Sequence, residues 1–160
     1  MAEKIKPQAE DAVTLHLDGE TAQSALDFIE FMKENKMSLK HTSGRHWKAS
    51  YKSKGVCYML IDENGWILRF SQFTRERWFV DYEHCITDAG LKEFILSKIN
   101  PRNCPDRDCG ISRNKMILGK TFDEVCTCWP LYLKNLDGED LANIKKFVLV
   151  IKQFIAELAV

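Results

Sequence analysis

Several common signatures are missing from this 160-residue chain, and each absence removes a class of protein. Net charge is absent, because 23 Lys and Arg residues cancel 23 Asp and Glu. That balance argues against nucleic-acid or membrane-surface binding driven by overall charge, although it leaves room for a local patch. No stretch approaches the roughly 18 consecutive apolar residues of a spanning helix. The best run, near Phe147–Ile151, is broken by Lys145, Lys146 and Lys152. The opening residues MAEKIKPQAED carry no apolar signal core, so the expected setting is the cytoplasm with no membrane partner. Six cysteines are too few for a disulfide scaffold and, in that compartment, are expected to be thiols or metal ligands. There is no glycine-rich phosphate loop, paired-histidine metalloprotease helix or nucleophile elbow, and no residue set demands an enzyme. Internal repeats, low-complexity segments and linkers are also lacking.

What is present describes an ordinary globular chain, 45% hydrophobic and 29% charged. Residues 1–12 read as a flexible tail and 13–160 as a single domain, with 101–120 a cysteine-bearing loop elaboration. Val13, Leu15 and Leu17 alternate with polar residues and suggest a short strand. Ala22, Ala25, Leu26, Ile29 and Met32 recur at helical spacing, predicting a helix from Glu20 to Asn35. Lys36–Arg45 reads as a polar connection. Four strand-like runs follow, His46–Tyr51, Val56–Asp62, Trp66–Ser71 and Arg77–Tyr82. Asn64-Gly65 between the second and third is a hairpin signal, since type I′ turns need positive φ. Such short connections favour an antiparallel meander. Asp88–Ile99 reads as a middle helix ended by Pro101, and Lys115–Leu118 and Cys126–Leu133 as strands. Asp137 is an N-cap for a last helix whose Leu141, Ile144, Val148, Ile151, Ile155 and Leu158 share one face. The expected fold is α+β: an antiparallel sheet of about five strands packed by N-terminal, middle and C-terminal helices.

Period-2 parity collects Trp47 with Tyr51, Tyr58, Trp66, and Trp78 with Tyr82, each on one face of its own strand, the register between strands being open. Trp and Tyr have an apolar body and a polar tip, which suits a half-wet pocket. With Arg69 as an anion partner, these residues are the candidate site for a small organic ligand. Simple packing of the same aromatics beneath the helices is the competing reading.

Cys104 and Cys109 form Cys-x4-Cys, and Cys126 and Cys128 form Cys-x-Cys on a predicted strand, where positions i and i+2 share a face. Four thiolates suit tetrahedral zinc, so these residues are the candidate metal ligands and zinc the candidate cofactor. Separate thiols and a redox pair remain open. Cys57 reads as core. His84 and Cys85 are a further acid–base or nucleophile candidate, although neighbours on an extended chain point apart. Lys33–Lys54 carries seven cations (Lys33, Lys36, Lys40, Arg45, Lys48, Lys52, Lys54) against Glu34 alone, with Trp47 and Tyr51 interleaved. This basic stretch makes a nucleic-acid-associated protein the second functional expectation, and thiol-dependent chemistry the third.

The order of motifs resembles a family of small, uncharacterised bacterial proteins grouped as a domain of unknown function. Trp47–Tyr51, Gly55–Leu60, Gly65–Phe70, Trp129–Lys134 and the Leu141–Ile151 helix carry the resemblance, which covers Ala25 to Ile155. It implies a compact α+β domain and no particular activity. The leading functional expectation from the residues is a non-enzymatic small-ligand-binding module with a structural zinc.

Overall fold

The computed structural model describes residues 5–70, 76–99, 112–126 and 131–158, with backbone alone at 76–77, 112–115, 124 and 126. In chain order it contains helices α1 (Ala9–His16) and α2 (Gly19–Glu34), then strands β1 (Ser38–Ser43), β2 (His46–Tyr51), β3 (Lys54–Asp62) and β4 (Gly65–Phe70). Helices α3 (Glu76–Asp88) and α4 (Lys92–Ser97), strands β5 (Ser112–Ile117), β6 (Lys120–Cys126) and β7 (Leu131–Lys134), and helix α5 (Gly138–Leu158) complete it. The expected α+β class is observed. The main sheet is antiparallel with order β1-β2-β3-β4-β7, and β5 and β6 form a separate hairpin.

Apolar periodicity explains the two long helices. Ala25, Phe28, Ile29 and Met32 give α2 a buried stripe, and Leu141, Ile144, Phe147, Val148, Ile151 and Ile155 do so for α5, while Leu158 is exposed. Both pack on one sheet face, Phe28 against Trp66 (ring centroids 5.7 Å apart) and Phe147 against Phe70 (5.3 Å). Lys145 ties α5 to Asp27 of α2 at 2.7 Å. Trp66 is fully buried, and its indole N–H donates to Ser24 Oγ at 3.2 Å, so the polar tip is satisfied.

Several elements differ from the sequence expectation. Residues 9–12, expected to belong to the tail, are part of α1, where Ala9 and Val13 stand one turn apart and are both buried. The strand reading of Val13–Leu17 required Leu15 inside, and Leu15 is 77% exposed. The connection Lys36–Arg45 contains β1, an edge strand whose single apolar residue, Leu39, gives it a weak hydrophobic signature. The expected strand Arg77–Tyr82 is the first half of α3: Trp78, Phe79 and Ile86 are buried and Tyr82 partly so, at helical spacing, while Val80 is 69% exposed. The expected helix Asp88–Ile99 is split by Gly90 at φ 71°. There Leu91 N–H donates to Ile86 O and Gly90 N–H to Thr87 O, the two bonds of a Schellman stop, before α4 begins. Cys126 ends β6 and Leu131 begins β7, so the strand expected across Cys126–Leu133 is two strands in different sheets.

The β3–β4 hairpin is where Asn64-Gly65 placed it, but Asp62 pairs with Gly65 and only Gly65 has positive φ, at 130°, so the turn is not type I′. Type I′ geometry occurs instead at Lys52-Ser53, both with positive φ, between β2 and β3.

Candidate ligand-binding face

Residues directly opposed across an antiparallel sheet project from the same face. Successive pairings define one row from edge to edge, His41–Trp47–Met59–Leu68–Leu133. It contains four buried core residues and a half-buried histidine. The neighbouring row, on the opposite face, is Lys40–Lys48–Tyr58–Arg69–Tyr132. With strands about 4.8 Å apart it spans about 19 Å. It holds three cations, two tyrosines and no carboxylate. Exposure is graded along it, from open Lys40, through half-buried Lys48 and Tyr58, to buried Arg69, with Tyr132 half-buried beyond. The Arg69 guanidinium lies 5.4 Å from the centre of the Tyr132 ring, a cation–π distance. The next row on this face, His46–Leu60–Ile67–Lys134, adds a further lysine.

Register therefore divides the seven expected ligand residues. Tyr58 and Arg69 are brought together as a cross-strand pair. Trp47 and Trp66 are on the other face, inside the core. Trp78 and Tyr82 are on α3, stacked on each other at 5.5 Å and packed edge-on to Phe154 of α5. Tyr51 ends β2, with Lys52 and Lys152 ammoniums 5.6 and 5.2 Å from its ring centre. Parity within single strands does not show which sets share a face, and one pairing decides it: Trp47 stands opposite Met59, not Tyr58. Lys48 and Tyr132 escape sequence reasoning as partners of Arg69, though both occupy the parity opposite buried neighbours in their own strands.

Of the seven cations in 33–54, Lys33 is paired with Glu10 and Arg45 with Asp62, whereas Lys40 and Lys48 stand directly opposite one another. Like charges at opposed positions cost stability, and an anion between them removes that cost.

The thiols separate clearly. Cys57 faces the core, and burial pushes its pKa up to about 12, so it stays protonated and unreactive. Cys85 is half-buried on α3, and its Sγ lies 3.2 Å from Nε2 of His84. The expectation that these neighbours point apart fails because the chain here is helical. Burial, followed by the 2.8 Å bond donated to Glu157, raises the Tyr82 phenol to about 12. Cys104, Cys109 and Cys128 lie outside the described residues, as does the Cys126 side chain. Among the described residues no group of three or more His, Cys, Asp or Glu is placed to hold a metal, and no helix is long and apolar enough to cross a membrane.

Comparison with protein-family models, curated proteins and solved structures finds no match to this chain.

Proposed function

We propose that the chain is a binding module for a small organic anion, held on the cationic sheet face by Lys48, Tyr58, Arg69 and Tyr132. The single observation that supports this reading is the cross-strand row itself, which places a guanidinium between two tyrosines with a lysine toward the open edge. A planar guanidinium suits a carboxylate, tyrosines suit an aromatic or polar group through ring and hydroxyl, and Lys48 adds a point charge. Nothing in this arrangement calls for a reaction step. Calorimetric titration with benzoate and phenyl phosphate tests it. The expected result is saturable binding, weakened about tenfold by Arg69→Gln, the loss of one charge-assisted contact. Tyr58→Phe and Lys48→Gln, which preserve packing, are expected to weaken it less. Absence of binding, or binding indifferent to all three substitutions, overturns the reading. Salt-sensitive capture of a single-stranded oligonucleotide by the same residues would favour the nucleic-acid alternative.

A second reading, thiol chemistry, is supported by the 3.2 Å contact between Cys85 and His84. His84 accepts the thiol proton as Cys85 attacks an electrophile. Iodoacetamide is the direct probe: a new S–C bond forms, iodide leaves, and the adduct is expected at Cys85 and not at Cys57. His84→Asn should slow the modification; an unchanged rate removes the pair from consideration.

We also propose that zinc is bound by Cys104, Cys109, Cys126 and Cys128, on the strength of their spacing alone. Metal analysis of the purified protein is expected to find one zinc per chain, released by Cys126→Ser. A metal-free protein unchanged in thermal stability by that substitution counts against it.

A further inference from the structure

The hydrogen-bond pattern between β2 and β3 fixes which main-chain groups of β1 are left over. Ile61 N–H donates to the Arg45 carbonyl at 3.0 Å, beside the pair His46–Leu60, so that pair is of the type that exchanges no bonds of its own. Alternation along β2 then turns the main chain of Trp47 and Ala49 toward β3, and that of Lys48 toward its β1 partner, Lys40. In β1 the N–H and C=O groups of Leu39 and His41 therefore point away from β2. The strand is the first in the order β1-β2-β3-β4-β7, and among the described residues these groups have no main-chain partner. The N-terminal segment does not seal this stretch, because Leu39–His41 and Lys6–Gln8 together line a cavity of about 300 Å³. Side chains divide by face. Leu39 and His41 share one face with the buried Trp47 and Ala49, whereas Lys40, which is exposed, shares the other with Lys48. Neither β1 nor β2 contains a carboxylate.

We infer that β1 is a docking edge for an extended acidic segment of a partner protein, added as an antiparallel strand in which carboxylates alternate with apolar residues. The outward N–H and C=O groups of Leu39 and His41 supply the main-chain bonds. The partner residue opposite Lys40 then falls in a pair that exchanges no bonds, where opposed side chains stand closest. A carboxylate at that position offsets the opposition of Lys40 and Lys48. The residues on either side of it project to the other face, beside Leu39, where apolar side chains fit. The same lysine selects against a second copy of the chain. Pairing β1 with itself so that Leu39 meets His41 sets Lys40 against Lys40, with a Lys48 behind each.

The test titrates the full chain with a short synthetic peptide alternating valine and glutamate, and follows amide hydrogen exchange by NMR. In the free protein the Leu39 and His41 amides should exchange rapidly and the Lys40 amide slowly. Saturating peptide should slow exchange at Leu39 and His41. N-methylation of the valines, whose N–H groups face β1, should abolish binding, whereas N-methylation of the glutamates, whose N–H groups face away, should leave it. Lysine in place of the peptide glutamates, or Lys40→Glu in the protein, should each weaken binding about tenfold or more, and combining the two should restore it. Lys40 is exposed, so the substitution leaves folding intact, checked by a melting temperature no lower than that of the parent. Arg69→Gln should leave peptide binding as it is, which separates this edge from the proposed small-anion site. Absence of binding, binding indifferent to valine N-methylation, or rapid exchange at Lys40 overturns the inference. Protection of Leu39 and His41 that grows with protein concentration alone also overturns it, in favour of a second copy.

Discussion

Asn135 does more for the sheet than its place in a connection suggests. It adopts φ 47°, its side-chain oxygen accepts the Trp66 N–H at 2.8 Å, and its own N–H donates to the Trp66 carbonyl at 2.8 Å. Gly65, at φ 130°, lies directly beneath that amide, and a Cβ there would collide with it. Gly65→Ala is therefore expected to cost about 2 kcal/mol or more, combining backbone strain with loss of a buried bond. Urea unfolding should show a lower midpoint with unchanged slope. A second residue-scale effect concerns alkali. The Cys57 thiol ionises near its ordinary pKa of 9.0 when unfolded but only near 12 when buried. The folded state then holds its proton more tightly, so the linked stability is intact below pH 9 and is lost as pH rises toward 12. Tyr82, raised to about 12 from 10.0, acts in the same direction higher in that window. Stability of the parent should decline above pH 9. Cys57→Ala should begin about 1 kcal/mol lower at pH 7 and decline less steeply between pH 9 and 10.

At the scale of elements, the ends of helices and hairpins show where local chemistry is suboptimal. Helix α2 stops in a Schellman arrangement, with Met37 N–H bonded to Met32 O and Lys36 N–H to Lys33 O, yet the left-handed position is filled by Lys36 at φ 61°. Lys36→Gly should raise stability by about 1 kcal/mol, read as a higher melting temperature. The Lys52-Ser53 turn carries the same strain twice, and combining Lys52→Asn with Ser53→Gly, which gives the turn its preferred residue types, should gain a comparable amount. Legibility in the sequence follows the same divide. The helix near Glu20–Asn35 and the strands at His46–Tyr51, Val56–Asp62 and Trp66–Ser71 are readable because their apolar spacing matches one period over several residues. Arg77–Tyr82 misleads because Trp78, Val80 and Tyr82 satisfy a period of two, while Trp78 and Tyr82 equally satisfy i, i+4. Only the burial of Phe79 beside exposure of Val80 separates the two. Tyr58 and Arg69 are individually legible as candidates. Their partnership with Lys48 and Tyr132 is not, because strand register depends on the bulge between Ala49 and Ser50 and on a pairing with distant β7.

Across the whole molecule, the two faces of the sheet have different duties. One is closed by α2 and α5 through Trp66, Phe28, Phe70 and Phe147. The other collects Lys40, Lys48, Arg69 and Lys134 around the buried Leu60 and Ile67, so a chain with zero net charge carries cations alone along these rows, the exposed ones at their margins. Raising salt should accordingly stabilise the protein slightly by screening the opposed Lys40 and Lys48, by a few tenths of a kcal/mol, about the scale of one surface pair. Lys40→Glu should reverse the sign of that response. The strand order carries a temporal consequence as well. Strands β1 to β4 are joined by turns of a few residues, whereas β7 reaches β4 only after the intervening helices, with Trp66 and Asn135 separated by 69 positions. Closing that long loop is entropically the most demanding contact in the sheet. The four-strand meander can assemble first, and the sheet is completed only when β7 arrives to give Arg69 its second tyrosine.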